Sequence, residues 1–338
     1  MRSSPRAHRP VVPILTLFLV TTVLVGCNAA GDAAAPSENR ASSSSATGPI
    51  DTANRVAFGR WGANEERNGI PLMWTANADG SDPRPVGDQR GWYMEWSPDR
   101  THLIFDFADD NGNEQIATIN PDGTDFAQLT TGAGFYADAA YSPDGGTIVF
   151  SHSPVPESDA SFRQELWIMD ADGSNRRKLL AGADGADWEP LFSPDGSKIV
   201  FTRDETDDGL TSSIHVISAD GTGLRAITPF LHYTEHPRWS PDGETIIYNI
   251  EAKGDLDNPD NGIWTVPSTG GEPRQLLPTD DDLHVFKPDY SPDGSKILFG
   301  CARRDANNNE DLCTMNADGT GTTVIVDTPE YENHGIWG

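Results

Sequence analysis

Positive charge is scarce in this chain of 338 residues. Its 24 lysines and arginines stand against 52 aspartates and glutamates, a formal net charge of −28. That balance argues against nucleic acid or an anionic bilayer as a partner, because both require clustered basic side chains. Catalytic signatures are lacking as well: no G-x-S-x-G elbow, no H-E-x-x-H and no Walker loop occurs. Beyond residue 54 no stretch carries the apolar spacing of a helix. Cysteine is limited to three residues, and the one long apolar run covers residues 11–25.

That run follows Arg2, Arg6 and Arg9 and ends in Leu24-Val25-Gly26-Cys27. It is short and early for a membrane span. The small residues before the cysteine resemble a bacterial lipoprotein signal. The resemblance implies cleavage after residue 26, lipidation of Cys27 and an exported chain. Residues 27–53 are rich in Ala, Ser and Gly without apolar periodicity, as expected of a disordered tether with a mean reach of roughly 25–30 Å. The membrane is therefore expected to be met only through the lipid.

From residue 54 onward the chain repeats. Trp239-Ser240-Pro241-Asp242-Gly243 leads into an alternating β-branched and aromatic run. Pro241 presets φ for the first central position of a turn, Asp242 suits the second, and Gly243 accepts the left-handed conformation that follows. The motif recurs with serines at 97, 142, 193, 240 and 291, spaced by 45, 51, 47 and 51 residues. One copy departs: Arg100 replaces the glycine, at an expected cost of about 1 kcal/mol. In phase with these turns, Asp-Gly-like turns occur at Asp79, Asp122, Asp172, Asp220, Gly270 and Asp318.

Six of the second kind against five of the first leaves one half-unit to be found. His334-Gly335-Ile336-Trp337-Gly338 aligns with His236-Pro237-Arg238-Trp239-Ser240, while Arg55-Val56-Ala57-Phe58 aligns with Lys198-Ile199-Val200-Phe201. The missing unit is split between the termini, as a closed ring requires. Residues 54–338 give about 47 residues per unit, inside the range of four-stranded propeller blades. The expected fold is all-β: a six-bladed β-propeller of four-stranded blades, its closing blade shared between the N- and C-terminal ends.

The repeat, fullest at Leu166-Trp167-Ile168-Met169-Asp170-Ala171-Asp172-Gly173-Ser174, resembles the TolB-type propeller repeat, also called PD40 or WD40-like. The resemblance covers residues 54–338. It implies the fold but little about activity, because such propellers serve transport, sugar lysis and peptidase regulation. The founding translocation protein carries an α/β domain ahead of its propeller, where this chain has its linker.

Equivalent positions in the repeats should lie at equivalent points around the axis. Four residues before each turn serine stand Tyr93, Asp138, Glu189, His236, Lys287 and, by the terminal alignment, His334. One position earlier stand Trp92, Ala137, Trp188, Glu235, Phe286 and Asn333, and further out Tyr233, His284 and Tyr331. These registers place a ring of ionisable groups and an aromatic layer at one mouth of the channel. Asp138, Glu189, His236 and His334 offer oxygen and imidazole ligands for a divalent metal. Trp92 and Trp188 offer faces for stacking on a sugar. Related oligogalacturonate lyases hold a metal over the axis with histidines.

Cys301 and Cys313 flank a hairpin loop and, with Cys27 assigned to lipid, form the one pair left for a disulfide. Two acidic stretches read as solvated hairpin loops. One holds Asp305, Asn307, Asn309 and Asp311, at best a weak calcium loop because the glycine and terminal acid are missing. The other runs from Asp106 to Glu114. His232 and His236 stand four apart on a segment that is not helical, so their spacing builds no common face. The leading expectation is a lipid-anchored binding or scaffolding module for an envelope protein or polysaccharide. The alternative is a metal-dependent carbohydrate-active enzyme, a lyase or hydrolase, working at the axial mouth. No oligomeric state is specified by the repeats.

Overall fold

A computed structural model describes residues 52, 54–62, 69–159, 161–180, 186–204, 211–229, 233–252, 255, 257–280, 283–303 and 310–338. The leader, Cys27, most of the tether, His232 and three of the four calcium-loop candidates (Asp305, Asn307, Asn309) lie outside these residues.

The described chain is built of strands. The first sheet holds β1 (Arg55–Trp61), β2 (Leu72–Asn77) and β3 (Arg84–Arg90). Next come β4 (Trp92–Trp96), β5 (Leu103–Ala108), β6 (Glu114–Ile119) and β7 (Ala127–Gln128). They are followed by β8 (Phe135–Tyr141), β9 (Thr147–Ser153), β10 (Glu165–Asp170) and β11 (Arg177–Lys178). The third sheet is β12 (Ala186–Phe192), β13 (Lys198–Asp204), β14 (Ser212–Ser218) and β15 (Arg225–Ala226). The fourth is β16 (Tyr233–Trp239), β17 (Thr245–Glu251), β18 (Gly262–Pro267) and β19 (Arg274–Pro278). Last are β20 (Leu283–Tyr290), β21 (Lys296–Arg303), β22 (Glu310–Asn316), β23 (Thr323–Val326) and β24 (Tyr331–Trp337).

Each set is an antiparallel meander, and the architecture is an all-β propeller of four-stranded blades. Strands β4–β7 and β8–β11 form one eight-stranded sheet, joined by a parallel pair at Glu114 and Phe135. At the seam β24 pairs with β1, as the split repeat predicts, and the Gly338 amide donates to the Arg55 carbonyl at 2.6 Å. The first sheet thus reads β24-β1-β2-β3, which closes what would otherwise be an exposed edge.

The turns follow their chemistry. Ser240 Oγ donates to Asp242 Oδ1 at 2.6 Å, the Glu244 amide donates to the same oxygen at 2.9 Å, and Gly243 takes φ 72°. Arg100 occupies the same conformation at φ 59° without glycine's freedom. Between blades the core is dry. Phe105, Phe150, Phe201 and Phe299 are fully buried at one register, each worth about 2–3 kcal/mol of burial. Trp239 packs in one cluster with Val200 and Val216 of the adjoining sheet and with Ile246 and Tyr248 of its own. Because second strands are covered on both sides, their runs are apolar rather than alternating, as in β5 and β13. Outer strands such as β7 shrink to two exposed residues.

Cys301 and Cys313 form a disulfide across β21 and β22, with Cα atoms 5.9 Å apart. One expectation fails within the acidic stretch at 106–114. Asp109 does cap a solvated turn, accepting from the Asn111 and Asn113 amides at 2.9 Å each. Asp106, however, is not a loop residue: it lies in β5 with no exposed surface. The strand continues further than its polar end suggests, because a partner from the next blade awaits that carboxylate.

The candidate axial site

The innermost strands share one irregularity. Register slips occur between Trp92 and Glu95, Ala137 and Ala140, Trp188 and Leu191, Glu235 and Arg238, and Phe286 and Asp289. The β24–β1 pair slips likewise between Ala57 and Gly59. At each bulge one residue takes a left-handed backbone: Tyr93 (φ 45°), Asp138 (55°), Glu189 (53°), His236 (53°), Lys287 (51°) and His334 (55°). Those are the six residues that the repeat alignment places on one ring. None is glycine or asparagine, so each pays roughly 1 kcal/mol for its conformation. A bulge re-aims a side chain, and repeated around the axis it turns these six inward.

They meet there. The Tyr93 ring lies 5.1 Å from His334 and 6.3 Å from His236, while the two imidazoles are 6.1 Å apart. The Lys287 ammonium sits 5.8 Å from the Tyr93 ring centre and bonds His334 Nε2. Glu189 pairs with the His236 ring through Nδ1 and accepts the His236 amide at 2.7 Å. The same pattern runs backwards around the ring. The Glu189 amide donates to Asp138 Oδ2 at 3.2 Å, and the Asp138 amide donates to Asp106 Oδ2 at 2.8 Å. The Lys287 amide donates to Asn249 Oδ1 at 3.2 Å. These bonds satisfy the amides that the bulges release from the ladders.

Two positions further along the same strands lies a second layer that the sequence reading did not use. Arg238 pairs with Glu95 at 2.6 Å and approaches Asp289 at 3.9 Å; Asp289 in turn accepts the Trp337 amide at 2.8 Å. Glu95, Arg238 and Asp289 come from β4, β16 and β20, so the arginine ties three inner strands together below the ring. Extending the repeat alignment by two residues would have found all three.

Burial governs the titration of these groups. It pushes Asp138, Glu189 and Glu95 up to about 7, with Glu189 adding to the effect on Asp138. It lowers Lys287 to about 8 and holds His236 and His334 well below the usual imidazole range. The two histidines are therefore neutral.

Above the ring opens a cavity of about 520 Å³. Its wall includes Trp92, Tyr93, Asp138, Trp188, Lys287 and His334 from the predicted registers, together with Tyr233, Tyr331 and Asn333. Trp188 and Tyr233 stack with centroids 5.6 Å apart. Trp61, Phe135, Glu114, Glu157, Gln164 and Glu310 complete it and carried no repeat signal. Glu189, His236 and Glu235 do not reach this wall. Glu189 and His236 border small cavities of about 20 Å³ beneath it, and Glu235 accepts from Asn249 Nδ2 at 3.0 Å. His284 packs on Phe286 instead.

The proposed metal set does not fit this arrangement. His236 and His334 are committed to Glu189 and Lys287, and among the described residues no three His, Cys, Asp or Glu side chains gather to hold an ion. The remaining calcium candidate, Asp311, is buried in β22.

This arrangement defines a propeller whose axial mouth is a walled cavity over a paired polar floor. The family model for the TolB beta propeller domain (PD40) matches residues 156–338, and the chain belongs to that family. The uncharacterized protein Atu1656 of Agrobacterium fabrum is 28% identical over 189 residues, 53% of this chain and 62% of that protein. The chain spans between 17% and 62% of the length of the curated relatives it matches. The crystal structure of TolB from Acinetobacter baumannii superposes with a TM-score of 0.67 at 19% identity, covering 86% of this chain and 67% of that one. Oligogalacturonate lyase in complex with manganese superposes with a TM-score of 0.54 at 13% identity, covering 80% and 72%. At these identities the likeness is one of fold.

Proposed function

We propose that the chain is a six-bladed protein-binding propeller held at the bacterial cell envelope, which takes its partner at the axial mouth. The observation that carries this reading is the mouth itself: about 520 Å³, walled by aromatic rings and carboxylates, over a floor in which Glu189 pairs with His236 and Glu95 with Arg238. A cavity of that size and mixed lining suits a docked side chain or loop. The blade count rests on the repeats. The innermost strands support it, since β4, β8, β12, β16, β20 and β24 each contact the next and β24 contacts β4. The resemblance of residues 1–27 to a lipoprotein signal and the composition of residues 27–53 support export, lipid anchoring at Cys27 and a tethered propeller from residue 54. The Tol-Pal system protein TolB of Anaeromyxobacter dehalogenans, 30% identical over 128 residues, points to the same compartment.

The test is site-specific photo-crosslinking in the producing bacterium. A photoreactive residue at Trp92 or Gln164, both in the mouth wall, is expected to yield a discrete protein adduct. The same residue at Asp220, in a turn at the opposite end, is expected to yield none. Adducts from Asp220 alone would overturn the reading.

A second reading, a metal-dependent lyase or hydrolase acting on a polysaccharide, draws on the Trp188–Tyr233 stack as a sugar platform. It requires His236 and His334 to leave Glu189 and Lys287. Elemental mass spectrometry of chelator-free protein separates the two. One equivalent of transition metal, lost in His236→Ala/His334→Ala, would favour the enzyme.

A further inference from the structure

The mouth is lined by two kinds of residue. Trp92, Tyr331 and the Trp188–Tyr233 stack are aromatic, and Glu114, Glu157 and Asp138 are acidic. Among the described residues the carboxylate of Glu114, half-buried at the start of β6, has no hydrogen-bond or salt-bridge partner. Behind it Asp106 has no exposed surface, and its Oδ1 lacks any hydrogen-bond partner. Burial pushes Glu114 up to about 8, with Asp138 and Glu157 reinforcing the shift. Lys287 brings positive charge to the described wall, but its ammonium is engaged by His334 and faces Tyr93.

Each class of ligand meets this wall differently. An anion would confront the carboxylates and one committed amine. A neutral apolar group would cover Glu114 and leave its desolvation unrelieved. A cation would meet the negative faces of the rings and the unpaired carboxylate together. A planar guanidinium does both best, stacking on an aromatic face while it forks onto a carboxylate. We infer that the mouth recognises an arginine side chain presented by the partner protein, with Glu114 as its carboxylate and the Trp92 face as its platform. This inference rests on the protein-binding reading above and names the chemistry of the docked group.

The probes are N-acetylated tri-arginine amide, the isosteric tri-citrulline amide and tri-glutamate amide. They are titrated at physiological salt into the full chain while tryptophan fluorescence is followed. The expected result is a saturable change with tri-arginine at a concentration at least tenfold below that for tri-citrulline, and no saturation with tri-glutamate. Glu114→Gln is expected to raise the tri-arginine half-saturation about tenfold. Asp172→Asn, an exposed turn residue at the far end, is expected to leave it unchanged. That variant controls for general attraction to a chain of net charge −28.

Equal half-saturation for tri-arginine and tri-citrulline would overturn the cationic ligand and leave a peptide site standing. Equal weakening by Glu114→Gln and Asp172→Asn would overturn it as bulk electrostatics. No saturation by any probe, with crosslinks at Trp92 retained, would overturn the inference alone. Loss of those crosslinks would remove the protein-binding reading beneath it.

Discussion

The carboxylates at the two ends of the propeller are the same chemical group put to opposite uses. At the turn end Asp99 and Asp195 are held at about 2, chiefly by the hydroxyls of Ser97 and Ser193, and Asp293 is held there by the Ser295 amide and the Ser291 hydroxyl. Around the axis, burial pushes Asp138, Glu189 and Glu95 up to about 7. A carboxylate whose folded value lies below its unfolded one, about 4, stabilises the fold above pH 4, and that contribution is lost as pH falls through 2. A carboxylate with a raised value favours the fold fully only below pH 4, and the advantage is lost as pH rises through 7. At neutral pH the turn acids hold the structure together while the axial acids burden it.

The largest test of this contrast removes the cation that the axial acids share. Arg238→Ala leaves the partly buried Glu95 and Asp289 without their counter-charge and is expected to cost about 3 kcal/mol or more, read as a lower urea midpoint. A midpoint within experimental error of the native one would show that the axial charges are solvated after all. Next in size is the clamp at the mouth end, where hairpin loops lack the Ser-Pro-Asp chemistry. Replacing Cys301 and Cys313 together by serine opens a bridge between positions 12 residues apart and is expected to cost about 3 kcal/mol. Calorimetry of the oxidised protein beside the variant reads that loss directly. The smallest effect repairs the turn end: Arg100→Gly relieves the left-handed strain at φ 59° and should gain about 1 kcal/mol. A loss there would mean that the Arg100 side chain contributes more at the seam cleft it lines than its backbone costs.

What could be read in advance divides along the same line. The Ser-Pro-Asp-Gly turns, the split closing blade and the ring register from Tyr93 to His334 are local or periodic signals, and a repeat exposes them without knowledge of the neighbours. The contents of the site were less legible. Whether His236 faces the cavity or Glu189, whether Asp106 ends a strand or anchors the Asp138 amide, and whether Glu114 lines the mouth depend on how bulges aim side chains across blades. Phe135 and Trp61 reach the wall from different registers, so alignment by turn serine does not collect them. The metal set illustrates the limit: four candidate ligands shared one register, but one nitrogen of each imidazole is engaged by Glu189 or Lys287.

The most direct test of the contrast uses one isosteric change at each end, scored by urea unfolding at pH 7.5. Asp138→Asn and Asp195→Asn each keep one acceptor oxygen and delete one charge. The account predicts opposite signs: Asp138→Asn more stable than the native chain, and Asp195→Asn less stable. Loss of stability in both would contradict it, because the axial carboxylate would then be a support of the fold like those in the turns.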